Sequence, residues 1–461
     1  MRFQTAEPFR IKMIEHVKKT TFEQRTEWLK EAQYNVFKVK AENVYIDCLT
    51  DSGTSAMSKN QWAALMMGDE SYASCDSYFR LEQSIHETYG MPLIQPVHQG
   101  RAADYLLAKI YTQPGKIAIG NMHFDTFRGN AEVLGALVED LVFDEGKDAA
   151  SPASPFKGNM DIAKCENLIA EKGVDQISVI ILTVTCNNNG GQPVSMQNIK
   201  DVAALAKKHN IPFVMDIARI AENAYFIKTR EEGYQNKDIV DIVKEQLSFC
   251  ESAVMSAKKD GLVNIGGLFL TRNQDIFAQA NQLAIVHEGF ITYGGLAGRD
   301  MDALAVGIKE ACDFDYLQYR VGQVEYLGNQ LKEKGIPIIE PPGGHGIYVD
   351  ARRFFPHIPQ HDFPAQLLVV ALYQESGIRA VELGACAFGG KDPITGEATW
   401  PQLETMRIAI SRRVYTNDHL DCIVNALDYI YQNRNSYKGL KLVFEGPIVS
   451  LRHFTAGFEL L

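Results

Sequence analysis

The chain has 461 residues, of which 46% are hydrophobic and 22% charged, and its formal net charge at pH 7 is −11. This length exceeds the usual limit of a single core, so we expect two domains. Nucleic-acid binding depends on clustered Lys and Arg side chains, so the acidic balance argues against a nucleic-acid partner and favours small-molecule ligands.

The sequence also argues against export and membrane insertion. The N-terminus interleaves charged and apolar residues and offers no hydrophobic signal core. Apolar runs such as 179–184 are far shorter than the roughly 20 residues that cross a bilayer. The eight cysteines are scattered without a Cys-x-x-Cys pair, which argues against a zinc site or a disulfide framework. We therefore expect a cytoplasmic protein with reduced thiols.

An α/β pattern begins at about residue 90, where short apolar runs alternate with segments of helical periodicity. Such alternation is typical of a mainly parallel sheet covered on both faces by helices. The predicted strands lie at 116–119, 141–143, 178–184, 212–215, 253–256 and 268–270, and the predicted helices between them lie at 196–209 and 237–249. We assign residues 53–320 to this large domain.

A smaller domain is predicted from the change in composition after residue 320, where the segment 335–346 is dense in glycine and proline. Its predicted elements are a helix at 319–334, a strand at 346–349, a helix at 363–376, a strand near 405–410 and a long helix at 418–432. Residues 1–52, which include an N-terminal arm, are assigned to this domain together with 321–461.

Two adjacent lysines, Lys258 and Lys259, follow the predicted strand 253–256 and precede Gly266 and Gly267. A solvated lysine pair in a surface turn is the ordinary form of such a dipeptide. The small residues before the pair and the glycines after it indicate a crowded turn, where an inward amine suits Schiff-base chemistry. Adjacent side chains on an extended segment face opposite ways, and we choose Lys259, with Lys258 as the alternative.

The predicted strand 212–215 leads directly into Asp216, and Arg219 follows three residues later. A buried carboxylate is the partner that a protonated pyridine nitrogen requires, and an arginine could donate to the ring oxygen. A structural ion pair at the strand end is the alternative. Together with the lysine, this carboxylate predicts pyridoxal phosphate (PLP) as the cofactor.

Three further segments could contact this cofactor or its substrate. Residues 98–101, His-Gln-Gly-Arg, open a predicted helix whose first amides favour a phosphate, although an ordinary helix start with a solvated arginine fits them too. Phe124 could stack on the pyridine ring, and Asp125 could face a substrate side chain. The amide-rich turn at 187–194 could contact a carboxylate or the cofactor, or be a plain turn.

Seven motifs are spread over the chain. They are Asp-Ser-Gly-Thr at 51–54, Gly-Asp-Glu with Tyr72 at 68–72, His-Gln-Gly-Arg at 98–101, Gly-Gly-Gln-Pro-Val at 190–194, Glu-Asn-Ala-Tyr-Phe-Ile at 222–227, Met-Ser-Ala-Lys-Lys-Asp at 255–260 and Tyr-Gly-Gly-Leu at 293–296. Together they resemble the β-eliminating lyases of PLP fold type I, a family that comprises tryptophanase and tyrosine phenol-lyase. The resemblance implies a PLP-dependent transferase-like fold with a mainly parallel seven-stranded sheet in the large domain and a smaller α/β domain.

The resemblance also implies a role for individual residues. Lys259 would form the imine with PLP and remove the α-proton. The other cofactor contacts would be Gln99, Gly100, Arg101, Phe124, Asp216, Arg219 and Ser256. Positions near the substrate carboxylate are Thr50, Ser52, Asn187 and Arg412. Tyr72 matches an acid contributed by a neighbouring subunit, while Gly53, Glu70 and Asn264 match a potassium or ammonium site at a subunit interface of a homotetramer.

Three positions separate the two activities of the family. Tyrosine phenol-lyases have threonine, arginine and phenylalanine where this chain has Asp125, Leu383 and His453, so the resemblance implies the tryptophanase pattern. A carboxylate acceptor also suits the N–H of indole. The expected reaction converts L-tryptophan and water to indole, pyruvate and ammonia, with Tyr72, Asp125 and His453 near the proton delivery to the leaving group.

Two alternatives stay open. Tyrosine phenol-lyase is the near one. A non-catalytic PLP-binding regulatory protein is the other, although neither terminus offers a recognition module such as a basic helix-turn-helix. One departure from the family is the turn Asn187-Asn-Asn, which is richer in amides than the family pattern.

Overall fold

The computed structural model describes residues 6–152, 154–391, 395–446 and 451–461. The chain divides into two compact units. The large unit comprises residues 52–146 and 154–320. The small unit comprises residues 6–51, Lys147–Pro152 and the described residues from Val321 onward.

Strands and helices alternate through most of the chain. In chain order the strands are β1 (Ile46–Asp47), β2 (Leu93–Val97), β3 (Ile117–Gly120), β4 (Leu137–Asp140), β5 (Ile177–Thr183), β6 (Phe213–Asp216), β7 (Ser252–Ser256), β8 (Gly267–Thr271), β9 (Gly346–Asp350), β10 (Ile378–Arg379), β11 (Val381–Leu383), β12 (Gly390–Lys391), β13 (Ala398–Thr399), β14 (Thr405–Ala409), β15 (Leu440–Phe444) and β16 (Gly457–Leu460). The α-helices are α1 (Phe22–Glu31), α2 (Lys59–Leu65), α3 (Asp76–Tyr89), α4 (Gly100–Tyr111), α5 (Asp125–Val133), α6 (Ile162–Lys172), α7 (Met196–His209), α8 (Ile220–Arg230), α9 (Ile239–Leu247), α10 (Gln274–His287), α11 (Gly298–Ala311), α12 (Phe314–Glu333), α13 (Ala351–Phe354), α14 (Pro364–Ser376), α15 (Ala385–Phe388), α16 (Asn417–Gln432) and α17 (Arg452–Thr455). Within the described ranges, none of these helices is both long and apolar enough to span a bilayer.

The large unit is built on a seven-stranded sheet with the strand order β2-β8-β7-β6-β5-β3-β4. The pairs β3–β4, β3–β5, β5–β6 and β6–β7 are parallel, and β8 runs antiparallel to both β2 and β7. The predicted α/β class and mainly parallel seven-stranded sheet are therefore confirmed.

In the seven-stranded sheet, one predicted strand is wrong and one was missed, and both lie at the edges of the sheet. The strand predicted at 141–143 lies instead at Leu137–Asp140. This edge strand contains only two apolar residues, Leu137 and Val138, and its side chains alternate between exposed and half-buried, so its signal is weak. Strand β2 carries Pro96, a residue that weakens a strand pattern but is tolerated at an edge.

Local signals explain why the predicted helix 196–209 has the same bounds as α7. The side chain of Ser195 caps its start by accepting from the backbone N–H of Asn198. Asn210, in the left-handed conformation at φ 52°, ends it. Both residue types are read directly from the sequence, so the pattern was sufficient here.

The core of the large unit forms where α4 packs on the sheet. Leu106 and Leu107 of α4 are buried in one cluster with Val179, Val214 and Val254 from three neighbouring strands. Full burial of a leucine side chain contributes roughly 1.5–3 kcal/mol. This packing fixes the start of α4 against the sheet, at Gly100.

The small unit packs helices against the three-stranded antiparallel sheet β11-β14-β9. Helix α14 is its centre, since the ten residues from Pro364 to Tyr373 are buried. A proline at the first helical position favours its start, and Gly377, at φ 77°, ends it.

Candidate active site

One edge of the large-unit sheet gathers most of the predicted site residues. Gly120, Thr183, Asp216 and Ser256 are the last residues of β3, β5, β6 and β7. Because these strands are parallel, their carboxyl ends lie at the same edge. The segments that follow them carry Phe124 and Asp125, Asn187, Arg219, and the two lysines.

The two lysines have different surroundings. Lys259 is 7% exposed, and its Nζ lies 5.4 Å from the centroid of the Phe124 ring. Lys258 donates from Nζ to Oε1 of Gln99 at 3.1 Å. Burial, and then the charge of Arg101, lower the pKa of Lys258. Lys259 therefore faces the predicted ring site, whereas Lys258 is bound to the predicted phosphate segment.

Asp216 lies near both Lys259 and Arg219. The backbone N–H of Ala218 donates to Asp216 Oδ1 at 3.1 Å. Burial raises the pKa of Asp216, and this N–H, Lys259 and Arg219 oppose that change. Arg219 is 3% exposed and immediately precedes α8. The carboxylate, the guanidinium and the amine thus form one cluster of charges, in which Arg219 and Lys259 are buried and Asp216 is half-buried.

The start of α4 approaches the end of β7 very closely. A side chain at Gly100 would place its Cβ 2.4 Å from Cβ and 3.0 Å from Oγ of Ser256. A side chain at Gly267 would meet the backbone of Gln99 at 2.5 Å. Glycine is therefore required at both positions. The first amides of α4 and the Ser256 hydroxyl form a cradle of hydrogen-bond donors, which suits a phosphate.

Asp125 is held by the amide-rich turn that follows β5. Asn188 Nδ2 donates to Asp125 Oδ1 at 3.0 Å, and Asn187 Nδ2 donates to Asn188 Oδ1 at 2.7 Å. Asn187 is buried and Asn188 is half-buried. Two of the predicted substrate contacts, Asp125 and Asn187, are therefore joined through a residue that the sequence analysis did not single out.

Asp104 was also missed. It lies on α4, is 7% exposed and accepts a hydrogen bond from Oγ1 of Thr126. Burial, and then the nearby charge of Asp216, raise the pKa of Asp104 to about 7. An aspartate within the buried stripe of a helix was the available sequence signal, because carboxylates are rarely buried without a reason.

Asp260 joins the two segments that carry Lys259 and Arg219. Its backbone N–H donates to the carbonyl oxygen of Ala218 at 3.3 Å. Its Oδ2 accepts from the backbone N–H groups of Ala221 and Glu222, at the start of α8. The lysine turn and the arginine turn are therefore bound to each other through a 2% exposed carboxylate.

The three predicted cation ligands are only partly together. Asn264 Nδ2 donates to the carbonyl oxygen of Gly53 at 2.9 Å. Glu70 instead accepts from the backbone N–H groups of Gly298, at 2.7 Å, and Arg299, at 3.2 Å. Within the large unit, Gly53 and Asn264 are thus adjacent, whereas Glu70 accepts hydrogen bonds from the start of α11.

Tyr72 and Ser52 complete the large-unit residues. Tyr72 is 70% exposed and stacks on Phe290, with ring centroids 5.7 Å apart. A hydrogen bond with Tyr293 raises the pKa of Tyr72. Ser52 is half-buried, next to Gly53. The exposed position of Tyr72 is compatible with a role toward another subunit.

The remaining predicted residues belong to the small unit. Arg412 is fully buried and donates from Nη1 to Asp51 Oδ2 at 2.9 Å, next to Thr50. His453 lies on α17, with its ring centroid 6.2 Å from that of Phe37. Leu383, at the end of β11, is 5% exposed.

Comparison with known proteins assigns these residues to a family. The chain matches the family described as beta-eliminating lyase over residues 47–426. It is 49% identical to a tyrosine phenol-lyase from Symbiobacterium thermophilum over 454 residues, which cover 98% of each chain. A tyrosine phenol-lyase from Fusobacterium nucleatum is 48% identical over 460 residues, which cover 99% of each chain. The chain belongs to the β-eliminating lyase family.

These relatives overturn the expected tryptophanase activity, with L-tryptophan as substrate and indole as product. Both bear the name of the other activity in the family, at nearly full coverage. Asp125 does not distinguish the two activities, because a carboxylate accepts a hydrogen bond from a phenolic O–H as well as from an indole N–H. Leu383 is buried in one cluster with Ile339 and Tyr348 within the small unit.

Solved structures show the same fold at low sequence identity. Leishmania major threonine aldolase aligns with a TM-score of 0.59 at 14% identity, covering 84% of this chain and 99% of its own. A serine palmitoyltransferase from S. paucimobilis, solved with a bound PLP–myriocin aldimine, aligns with a TM-score of 0.56 at 11% identity, covering 85% and 88%. The β-eliminating lyase therefore has PLP-dependent fold type I.

Pyridoxal phosphate is the cofactor that this family and fold imply, and two observations show that the described residues fit it. Asp216 ends β6 near Lys259 and Arg219, and its half-buried carboxylate can accept a hydrogen bond from a protonated ring nitrogen. The cradle at Gly100 and Ser256 admits no side chain but presents donors to an anion. Lys259 Nζ lies 5.4 Å from the centroid of the Phe124 ring, so an amine that can form an imine lies beside a ring that can stack on a pyridine.

Proposed function

We propose that this β-eliminating lyase converts L-tyrosine and water to phenol, pyruvate and ammonia. The observation that carries the proposal is the near-complete likeness to proteins named tyrosine phenol-lyase, at 49% and 48% identity. The cluster of Lys259, Asp216 and Arg219 supports it, because these groups suit proton transfer at the α-carbon of an amino acid.

Each large-unit group has a task in this reaction. Bound PLP would supply an electron sink for the pair left behind when the α-proton departs. Lys259 would hold the cofactor and then move that proton. Asp216 would bind the protonated ring nitrogen, Arg219 would donate to the ring oxygen, and Phe124 would stack on the ring.

The phosphate and the substrate carboxylate would be bound by separate groups. Gln99, Gly100, Arg101 and Ser256 would bind the phosphate through helix-start amides, a guanidinium and a hydroxyl. Asn187, Ser52, Thr50 and Arg412 would bind the carboxylate through charge-assisted hydrogen bonds.

The leaving group needs a proton at the ring carbon that was bonded to Cβ. Tyr72, contributed by a neighbouring subunit, would donate that proton. The phenol O–H would donate a hydrogen bond to the carboxylate of Asp125. His453 and Leu383 would border the ring. A homotetramer with potassium or ammonium at Gly53, Glu70 and Asn264 belongs to the same proposal.

The test is product analysis with the purified protein, PLP and potassium chloride. L-Tyrosine should yield phenol and pyruvate in equal amounts. L-Tryptophan is assayed in parallel, and release of indole without phenol would contradict the proposal. Replacing potassium with sodium should lower the rate if the cation site is as proposed.

A further inference from the structure

The side-chain amide of Asn188 has all of its hydrogen-bonding atoms engaged. Its Nδ2 donates to Asp125 Oδ1 at 3.0 Å and to the carbonyl oxygen of His123 at 2.9 Å. Its Oδ1 accepts from Asn187 Nδ2 at 2.7 Å. Both groups that face the nitrogen can only accept, so the orientation of the amide is fixed.

The turn that carries Asn188 is itself held firmly. Backbone hydrogen bonds join Cys186 and Gln192 in both directions, at 2.8 and 3.2 Å. Gly190 and Gly191 have φ values of 81° and 66°, which a glycine adopts without strain. Asn188 is therefore a donor in a fixed place rather than a side chain on a loose loop.

Asp125 receives a defined orientation from this donor. It is the first residue of α5 and is half-buried. The side chain of Asn188 donates a hydrogen bond to the Oδ1 atom of Asp125. A carboxylate fixed through one oxygen presents its second oxygen, Oδ2, in one direction.

We propose that Asn188 is a positioning residue that determines leaving-group specificity by aiming Asp125 Oδ2 at the O–H of the departing ring. The proposal rests on the proposed function, in which that ring is a phenol. It connects two features of this chain: a carboxylate where tyrosine phenol-lyases have threonine, and an amide-rich turn beside it. A carboxylate has an additional torsion to fix, and the extra amide fixes it.

The network also gives Asn188 a connection to the other end of the substrate. Asn187, its hydrogen-bond donor, is the residue that would bind the substrate carboxylate. One relay of three side chains thus runs from the carboxylate-binding amide to the leaving-group acceptor. Asn188 contacts Asp125 directly but would reach the substrate carboxylate only through Asn187, so its loss should affect departure of the ring more than removal of the α-proton.

The test compares L-tyrosine with β-chloro-L-alanine, whose chloride departs without an O–H contact. In Asn188→Ala, kcat for L-tyrosine should fall about tenfold, the worth of a hydrogen bond to a charged group, while kcat for β-chloro-L-alanine stays within about twofold. Asn188→Asp, which places a like charge beside Asp125, should be worse than alanine with L-tyrosine. Asn189→Ala is the matched control. Asn189 lies in the same turn, but its Nδ2 donates to the carbonyl oxygen of Lys157 and not to Asp125.

A double-mutant cycle decides whether Asn188 acts through Asp125. In an Asp125→Ala background, Asn188→Ala should cause no further loss with L-tyrosine. The proposal would be overturned if the kcat losses of the two single variants multiplied in the double variant, or if Asn188→Ala lowered kcat equally with both substrates. It would also be overturned if Asn189→Ala showed the same selective loss with L-tyrosine. Absence of phenol from the wild type would instead remove the proposed function, and this inference with it. Melting curves of each variant show whether it folds.

Discussion

At the residue scale, Lys258 and Lys259 offer a matched pair of variants. Lys259→Ala should lower pyruvate formation by at least about a thousandfold, because it removes both the covalent attachment and the proton carrier. Lys258→Ala should keep turnover and weaken PLP binding by about tenfold, because it removes a charged donor to Gln99.

Borohydride reduction followed by peptide mapping supplies a readout that is independent of turnover. The wild type and Lys258→Ala should be labelled at position 259, and Lys259→Ala should not be labelled there. Labelling of Lys258 in the wild type would reverse the assignment of the two residues.

Residue-scale chemistry could be predicted where one strand and the turn after it were sufficient. Asp216 ends a buried strand, and Arg219 and the lysine pair follow such strands, so their proximity follows from parallel pairing. Asn188 could not be predicted, because its partner Asp125 is 63 positions away in the sequence and the contact depends on side-chain orientation. The predicted leaving group, indole, was wrong for a different reason. The Asp125 carboxylate can accept a hydrogen bond from the N–H of indole or from the O–H of phenol.

At the element scale, two buried carboxyl groups hold the start of α15 in the small unit. Glu382 accepts from the backbone N–H groups of Cys386 and Ala387, at 2.8 and 3.0 Å. Glu404 accepts from that of Ala385 at 2.7 Å. Burial raises the pKa of Glu404 to about 7, and burial together with Glu404 raises the pKa of Glu382. The segment after Leu383 is therefore shaped by two carboxyl groups that are costly to ionise together.

This pair predicts a stability that decreases with rising pH. The pKa of Glu404 is about 7 in the folded state against 4.5 ordinarily, so the folded protein retains a proton that the unfolded chain has released. Its contribution is fully present below about pH 4.5 and is lost as pH rises toward 7. Thermal melts at pH 5.5 and 8 should differ less in Glu404→Gln than in the wild type.

The exposed Glu397, in the same unit, supplies the control for that experiment. Glu397→Gln should leave the difference between the two pH values unchanged. An unchanged difference in Glu404→Gln would show that Glu404 ionises in the folded state as freely as in the unfolded chain.

Element-scale structure was predicted best where periodicity and end signals coincided. Helix α7 has both a serine cap and an asparagine end, and its bounds were correct. Strand β4 has only two apolar residues and no buried face, and the neighbouring segment 141–143 was predicted instead. Hydrophobicity marks strands that are covered on both sides, so an edge strand gives a weak signal.

At the scale of the whole molecule, the proposed cofactor site exists only in the folded chain. Its residues come from four distant segments, at 99–101, 124, 216–219 and 256–259, which meet at one edge of the large-unit sheet. An unfolded chain retains the lysine amine but not the cradle, the carboxylate or the stacking ring. PLP should therefore bind the folded state far more tightly than the unfolded state.

Linkage then predicts how much PLP stabilises the protein. A ligand that binds only the folded state adds about 2.7 kcal/mol to the free energy of unfolding at 100 times its Kd. Denaturation curves with increasing PLP should follow this logarithmic dependence in the wild type. At the same PLP concentration, the free energy of unfolding of Lys259→Ala should increase less, because this variant lacks the covalent bond. Inorganic phosphate at that concentration should give the wild type the smallest increase, because it occupies only the cradle at Gly100 and Ser256. Equal stabilisation by phosphate and PLP would mean that the ring contacts at Phe124 and Asp216 contribute nothing to binding.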